Sequence, residues 1–403
     1  MVPNGWKLGV ISELADTVMG YAFKSADFTK TGIPLLRMGN LYQNTLSFER
    51  SPIYLPESFK NEYERFLVKP NDLVMSMTGT MGKRDYGFTV EIPEGAPCSL
   101  LNQRVIKFVP KHESSSGFLL NLLRSEIVLS RLYAIPGGTK QANLSAKQIQ
   151  ELPAPIPPLQ EQHKIAKILS TWDKAISTTE CLIDNSKQQK KALMQQLLTG
   201  KKRLLDDSGK PFESDWEDTL LSDWLVEFKE KSIKQDQHRV YTSSRAGLVP
   251  QDEYFGNSRI ADRNNIGFHV LPPEHITYRS RSDDGFFTFN LFKSNENGII
   301  SHYYPVFSTK GNNSFFIALF EQFRGVFGKH SVGTSQKVLS LNALRGIKLK
   351  IPAKEEQRKI ATVLNSAEKE IQILEQQLAD LKQEKKALMQ QLLTGKRRVK
   401  VNN

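Results

Sequence analysis

Lys190-Lys191-Ala192-Leu193-Met194-Gln195-Gln196-Leu197-Leu198-Thr199-Gly200-Lys201 occurs twice in this chain, returning letter for letter as Lys385 through Lys396, 195 residues later. The match continues upstream at the same spacing: Ile165-Ala166 with Ile360-Ala361, Leu169 with Leu364, and Ile156-Pro157 with Ile351-Pro352. Gly138, Gln141 and Ser145 likewise return as Gly333, Gln336 and Ser340. A period of half the chain is far longer than a solenoid unit, so the protein consists of two similar halves.

Each copy ends a long helical stretch. Apolar residues step by alternating fours and threes through Ile165, Leu169, Trp172, Ile176, Ile183, Leu193 and Leu197. They do so again through Ile360, Leu364, Ala367, Ile371, Leu374, Leu378, Leu381, Leu388 and Leu392. A spacing of about 3.5 residues over about five heptads is the signature of a coiled-coil seam. No Gly or Pro interrupts either stretch, so propensity agrees with pattern. Pro157-Pro158 and Pro352 bar an earlier start, and Gly200 and Gly395 suit C-terminal caps beside lysines. Roughly forty residues at ~1.5 Å each predict a rod on the order of 60 Å long. Two amphipathic helices, each packed on its own domain, would be the plainer arrangement, but so long and narrow a seam favours a helical partner.

A chain of 403 residues has room for two or three domains, and 39% hydrophobic residues suffice for real cores. The formal net charge of +12 points to a polyanion, most simply nucleic acid. No apolar run approaches the ~18 residues of a membrane span, and Met1-Val2-Pro3-Asn4-Gly5-Trp6 lacks the layout of a signal peptide. Cys98 and Cys181 stand in unrelated contexts, and the seven histidines show no metal-ligand spacing. A soluble, cytoplasmic protein with no membrane partner is expected.

The opening around Trp6 is echoed at Asp215-Trp216, 210 residues later instead of 195, so the second globular part is the shorter by 15. The boundaries that follow are 1–152 for the first domain, 153–205 for the first long helix, 206–347 for the second domain, and 348–403 for the second helix with a basic tail. In the first domain, runs such as Ile33–Arg37, Asp72–Met77 and Arg104–Val109 read as strands, followed by a helical piece from Phe118 to Tyr133. Pro273–Tyr278 and Phe315–Phe320 play the same parts in the second, so each domain is expected to be a mixed α/β fold. The helices are nearly identical while the domains share only a scaffold. One job done twice by the helices and different ligands for the domains would explain this; faster drift of surface loops would too. Identical Gln195-Gln196 and Gln390-Gln391, off the seam, favour a contact made in common.

Two domains alternate with two helices that open on Pro157-Pro158-Leu159-Gln160-Glu161-Gln162 and Pro352-Ala353-Lys354-Glu355-Glu356-Gln357 and close on Leu-Leu-Thr-Gly-Lys. This arrangement resembles, along the whole chain, the specificity subunit of a type I restriction–modification system. The resemblance implies two target recognition domains, each reading one half of a bipartite, asymmetric site in double-stranded DNA. It implies helices paired as an antiparallel coiled coil, two methyltransferase subunits docked along them, and restriction/translocase subunits joining for cleavage. A symmetric register would set Ile165 against Leu392, Leu197 against Ile360, Trp172 opposite Lys385 and Ala367 opposite Lys190. If the rod holds both domains on one face of the duplex, half-site centres should lie roughly one helical turn apart, about 34–36 Å.

No methyltransferase, S-adenosylmethionine, nuclease or ATPase motif is present, so the chain is expected to be non-catalytic and without a cofactor of its own. S-adenosylmethionine, ATP and magnesium would sit on the partners, which would methylate a flipped adenine at N6. Two rivals remain: the recognition subunit of a related two-subunit restriction enzyme, and a coiled-coil scaffold that binds no DNA. The basic surplus speaks against the second.

Candidate DNA contacts cluster in Gly-rich basic turns. In Ser76–Arg84, small residues at Thr78, Gly79 and Thr80 let backbone N–H groups approach phosphates, and Lys83 and Arg84 add charge. A hairpin turn with solvated basic residues is the alternative. The equivalent stretch of the second domain carries Arg279, Arg281 and Ser282, with two arginines suited to guanine edges. Asn102, Gln103 and Arg104 have base-reading chemistry, although alternation of Gln103 and Val105 also fits a strand rim. Gly138, Thr139, Lys140 and Gln141 match Gly333, Thr334, Ser335, Gln336 and Lys337; shared Gln and Lys favour phosphate positioning over sequence reading, with plain turn chemistry as the other reading. Lys201-Lys202-Arg203 and Lys396-Arg397-Arg398 suit a helix dipole, a partner or DNA.

Overall fold

The long helices form over Leu159–Leu197 and Lys354–Leu393, in a computed structural model that describes residues 2–135, 141–244, 247–255 and 264–401. Two units divide the chain: Met1–Glu180 with Gln377–Asn403, and Cys181–Gln376. Each unit contains one domain, the start of the helix that follows it, and the end of the other helix.

In the first domain a four-stranded antiparallel sheet runs Ala15–Met19, Val105–Pro110, Leu73–Ser76, Thr89–Glu91. Side chains alternate across each strand. Leu73, Met75, Ile106 and Phe108 pack on helices Ser116–Leu123 and Glu126–Tyr133, while Val74 and Val105 face Leu36 and Leu101 on the other side. Both faces are covered, which is why Leu73-Val74-Met75 reads as one continuous apolar run. The second layer contains Ile33–Leu36 and Ser99–Leu101, which run parallel. The single helical piece expected between Phe118 and Tyr133 is two helices. Ser125 is extended and its hydroxyl donates to the Leu122 carbonyl (2.6 Å), which ends one helix before the next begins.

The second domain repeats the plan with Leu225–Glu227, Val306–Thr309, Ile276–Tyr278 and Phe289–Leu291 in the corresponding order. Helices Asn313–Gln322 and Arg324–Lys329 cover it, and Arg239–Ser244 runs parallel to Gly298–Ile300 in the second layer. Its core is aromatic: Phe289, Phe307, Phe315, Phe316, Phe320 and Phe327 share a cluster with Tyr278, whose buried hydroxyl donates to the Leu339 carbonyl at 2.9 Å. Lys7–Val10 pairs with Pro153–Ile156, and Glu217–Leu220 with Lys348–Ile351. The beginning of each domain is thereby hydrogen-bonded to the strand that feeds its long helix.

The helices pair antiparallel. In the first unit Ile165 and Leu169 share a core with Leu392 and Leu393, and Lys385 and Lys382 reach Asp173 (2.5 Å) and Glu180 (2.7 Å). In the second, Leu197 and Leu198 join Ile360 and Leu364, Lys187 pairs with Glu375 (2.7 Å), and Lys190 pairs with Glu368. Two of these ion pairs fall within a residue of the symmetric register, Lys385 meeting Asp173 beside Trp172 and Lys190 meeting Glu368 beside Ala367, while Lys382–Glu180 and Lys187–Glu375 are each offset from it by five. Of the seam, Ile165, Leu169, Ile183, Leu197, Ile360, Leu364, Ile371 and Leu392 are buried, whereas Trp172, Ile176, Leu193, Leu374, Leu378, Leu381 and Leu388 are half-covered. Thr179 is buried too, and its hydroxyl donates back to the Ala175 carbonyl at 2.9 Å.

The Glu-Gln of each helix start ties it to its domain. Gln162 donates to the Pro157 carbonyl (3.0 Å) and accepts from Ser115 N (3.0 Å), the residue that caps helix Ser116–Leu123. Gln357 repeats this with the Pro352 carbonyl (2.9 Å) and Asn312 N (3.1 Å). Glu161 and Glu356 are buried, and each carboxylate is held by a cation from past the end of the other helix. Arg398 binds Glu161 through Nε and Nη2 (2.9 and 2.5 Å), and Trp6 Nε1 donates to it at 3.2 Å. Arg203 binds Glu356 in the same way (2.7 and 2.8 Å), with Trp216 Nε1 at 3.2 Å. A buried carboxylate is tolerable only when paired and hydrogen-bonded in this way. Gly200 and Gly395, at φ +68° and +70°, turn the chain so that each arginine can return.

Candidate nucleic-acid interface

The two Gly-rich stretches of each domain come from distant parts of the sequence, yet they meet. In the first domain Thr78–Thr80 pairs antiparallel with Gln141–Asn143, Thr80 opposite Gln141 and Gly79 opposite Ala142. In the second, Arg281–Ser282 pairs with Lys337–Val338. Each domain therefore presents one short ribbon built from both candidate stretches.

Thr78 and Gly79 are buried in the ribbon while Thr80, Lys83 and Arg84 are exposed. A side chain at Gly79 would meet Asp85 Oδ1 at 2.4 Å, so glycine is required there by packing. Asp85 closes the turn by accepting from Thr80 N (2.7 Å); burial opposes the charge, but the Thr80 hydrogen bonds hold its carboxyl below the ordinary range. Lys83 is exposed at the tip beside Gly82, which is at φ +78°. Arg84 is committed elsewhere: it binds Glu126 at 2.9 and 3.1 Å and lies over the Tyr133 ring. Gly138, Thr139 and Lys140 lie outside the described residues.

In the second domain Val332 and Val338 exchange backbone hydrogen bonds, closing a hairpin over Gly333, Thr334, Ser335, Gln336 and Lys337. Gly333 is at φ +108°, and a Cβ there would lie 2.2 Å from the Gln336 carbonyl. Thr334, Ser335 and Gln336 are exposed, and Gln336 reaches Asp283 at 3.4 Å. Arg281 lies over the Tyr303 ring, and Ser282 is a turn residue, its hydroxyl donating to Asp284 at 2.7 Å. Arg279 and Arg281 are exposed and line a cleft of about 730 Å3 with Ser243 and Tyr304.

Asn102, Gln103 and Arg104 form the turn between Ser99–Leu101 and Val105–Pro110, with Gln103 and Arg104 exposed. They line a cleft of about 580 Å3 together with Arg37 and Arg50, which sequence reasoning missed. Both domain clefts lie where the parallel pairing of two strands ends: after Leu36 and Leu101 in the first, after Tyr241 and Ile300 in the second. The carboxyl ends of parallel strands are a recurrent ligand position. That signal was available at Arg37, the last residue of the run Ile33–Arg37 that reads as a strand. Among the described residues no cluster of His, Cys, Asp or Glu could hold a metal, and no helix is long and apolar enough to cross a membrane.

Against known families, the chain matches the type I restriction modification DNA specificity domain twice, over residues 3–185 and 214–383. It is 30% identical over 206 residues to the type I restriction enzyme MjaVIII specificity subunit of Methanocaldococcus jannaschii, spanning 50% of this chain and about half, 48%, of that one. It is 24% identical over 417 residues to the putative MjaX specificity subunit of the same organism, covering 99% and 95% of the two chains. Its fold is that of the type I restriction–modification S subunit from M. genitalium, with a TM-score of 0.58 at 15% identity over 98% of both chains.

Proposed function

Because this chain belongs to the type I restriction modification DNA specificity family, we propose that it is the sequence-reading subunit of such a system. In this reading each domain recognises one half of a bipartite, asymmetric site in double-stranded DNA. The carrying observation is the contrast between frame and surface. The two domains share topology, ribbon and cleft position, yet the first cleft is lined by Arg37, Arg50 and Gln103 and the second by Arg279, Arg281 and Tyr304. A common scaffold with unlike polar linings suits two unlike half-sites.

The helices supply the complement of that argument. Lys191, Gln195 and Gln196 and their repeats Lys386, Gln390 and Gln391 are identical and exposed. Two equal surfaces suit two copies of one methyltransferase subunit, with restriction/translocase subunits completing the assembly. Adenine methylation, ATP hydrolysis and cleavage belong to those partners, along with S-adenosylmethionine, ATP and magnesium. The chain itself provides address and geometry. Mapping methylated adenines in DNA from cells carrying this chain and its methyltransferase partner tests the reading. An interrupted motif with two different halves is expected; a continuous motif, or none, would refute it.

A further inference from the structure

The loop between Ile33–Leu36 and the rest of the first domain is irregular, with Gln43, Asn44 and Ser51 all at positive φ. Non-glycine residues hold that conformation only where their surroundings impose it. Here one buried side chain ties three points of the loop together. Asn40, 3% exposed, accepts from Arg37 N (2.8 Å) and donates to the carbonyls of Ser47 (2.9 Å) and Arg50 (3.0 Å). One buried amide thus fixes the backbone at two arginines of the same cleft. The Arg50 guanidinium also lies 4.8 Å over the Tyr42 ring, which restrains it.

Arg104 joins these two from the neighbouring strand end. No carboxylate lines the cleft, and among the described residues none pairs with Arg37, Arg50 or Arg104. Asn102 Oδ1 accepts from Arg104 N (3.3 Å), which leaves its NH2 group to offer. The lining therefore carries three arginines whose charge no carboxylate answers among the described residues.

We propose that this cleft is the base-reading site of the first domain and takes the major-groove edge of a guanine. The inference rests on the DNA-recognition reading above. Guanine alone presents two adjacent acceptors, N7 and O6, that match a guanidinium fork; cytosine presents an amino donor suited to a carboxylate, and none lines this cleft. Arg37 and Arg50, pre-set by Asn40, are the specificity-determining residues, and Asn40 is a positioning residue.

The test uses the full chain assembled with its methyltransferase partner and a pool of random duplexes, followed by 7-deazaguanine in place of each guanine of the selected site. That analogue keeps base pairing and O6 but lacks N7. At one or more guanines of one half-site the substitution should weaken binding ~tenfold or more. Arg37→Ala or Arg50→Ala should abolish that penalty and leave preferences in the other half unchanged. Arg37→Lys should reduce the penalty while retaining the salt dependence, because it keeps charge and a donor but not the fork. Alanine variants that weaken every duplex equally, with the 7-deazaguanine penalty intact, would make these residues phosphate contacts. That result, or a half-site read without guanine, overturns the inference and leaves the recognition reading standing. Failure to select any sequence overturns both.

Discussion

Arg203→Ala should destabilise the second unit by an amount set by the carboxylate it leaves behind. Glu356 is fully buried, and Arg203 supplies two of its three hydrogen bonds, at 2.7 and 2.8 Å. Removing one partner of a buried pair costs about 3–5 kcal/mol. The Arg203 side chain is 23% exposed, so water entering the vacancy offsets part of this, and a loss of about 3 kcal/mol is expected. Arg398→Ala should cost less, since that side chain is 41% exposed. Unfolding in urea, followed by Trp216 fluorescence with Trp6, Trp172 and Trp224 replaced by Phe, reads the second lock directly, because its indole donates to Glu356. The paired change Arg203→Met with Glu356→Met should recover most of the loss, as apolar groups of similar volume leave no stranded charge. A single-variant loss below about 0.5 kcal/mol, or a double variant as unstable as the single, would refute the lock as a buried ion pair.

Lys83→Ala and Lys337→Ala should each weaken binding to all duplexes and lower the salt slope by about one unit; altered sequence preference at an unchanged slope would make the lysine a base reader. Arg279→Ala with Arg281→Ala should relax one half of the methylated motif only, and equal relaxation of both halves would contradict the assignment of one domain to each. A fragment ending near Leu205 should form a dimer in sedimentation, with Arg203 of one copy on Glu161 of the other and Lys190 on Asp173, as Arg398 and Lys385 are in the full chain; a strict monomer would show that the seam is misdrawn. The hydrogen bond from Lys190 holds the Glu368 carboxyl below its ordinary value of 4.5. Its contribution is present at neutral pH and lost as pH falls through the lowered value, so Lys190→Ala should flatten the acid limb of stability, as urea midpoints against pH would show.

Periodic features were legible in the sequence. The seam, the proline-bounded starts and the Gly200 and Gly395 caps all follow from local spacing, and the helices begin and end there. The locks were not, although Trp6, Glu161 and Arg398 all recur as Trp216, Glu356 and Arg203. Their partners lie far apart in the chain, and the tryptophan recurs at a different spacing from the other two, so no single offset exposed the triad. As tail charge, Arg203 and Arg398 suit a helix dipole, a partner or DNA; in the structure each binds a buried carboxylate. The ribbons were half legible. Composition marked each Gly-rich stretch, but only tertiary pairing joins Thr80 to Gln141 and Ser282 to Lys337. Arg37 and Arg50 escaped because Asn40 arranges them through backbone hydrogen bonds in a loop without a periodic pattern.

The division of the chain has a consequence for its synthesis. The second unit has all its residues once Gln376 has left the ribosome, whereas the first, begun earliest, still waits for 377–403. Until then Glu161 lacks Arg398, and Ile165 and Leu169 lack Leu392. About 200 residues at ~5–20 per second leave a window on the order of ten to forty seconds. During that window the nascent first helix can meet another nascent chain whose Lys190–Lys201 segment is identical to the Lys385–Lys396 it awaits. Pairing between chains then competes with completion of the chain, more so on crowded polysomes and where translation of the second half is slow.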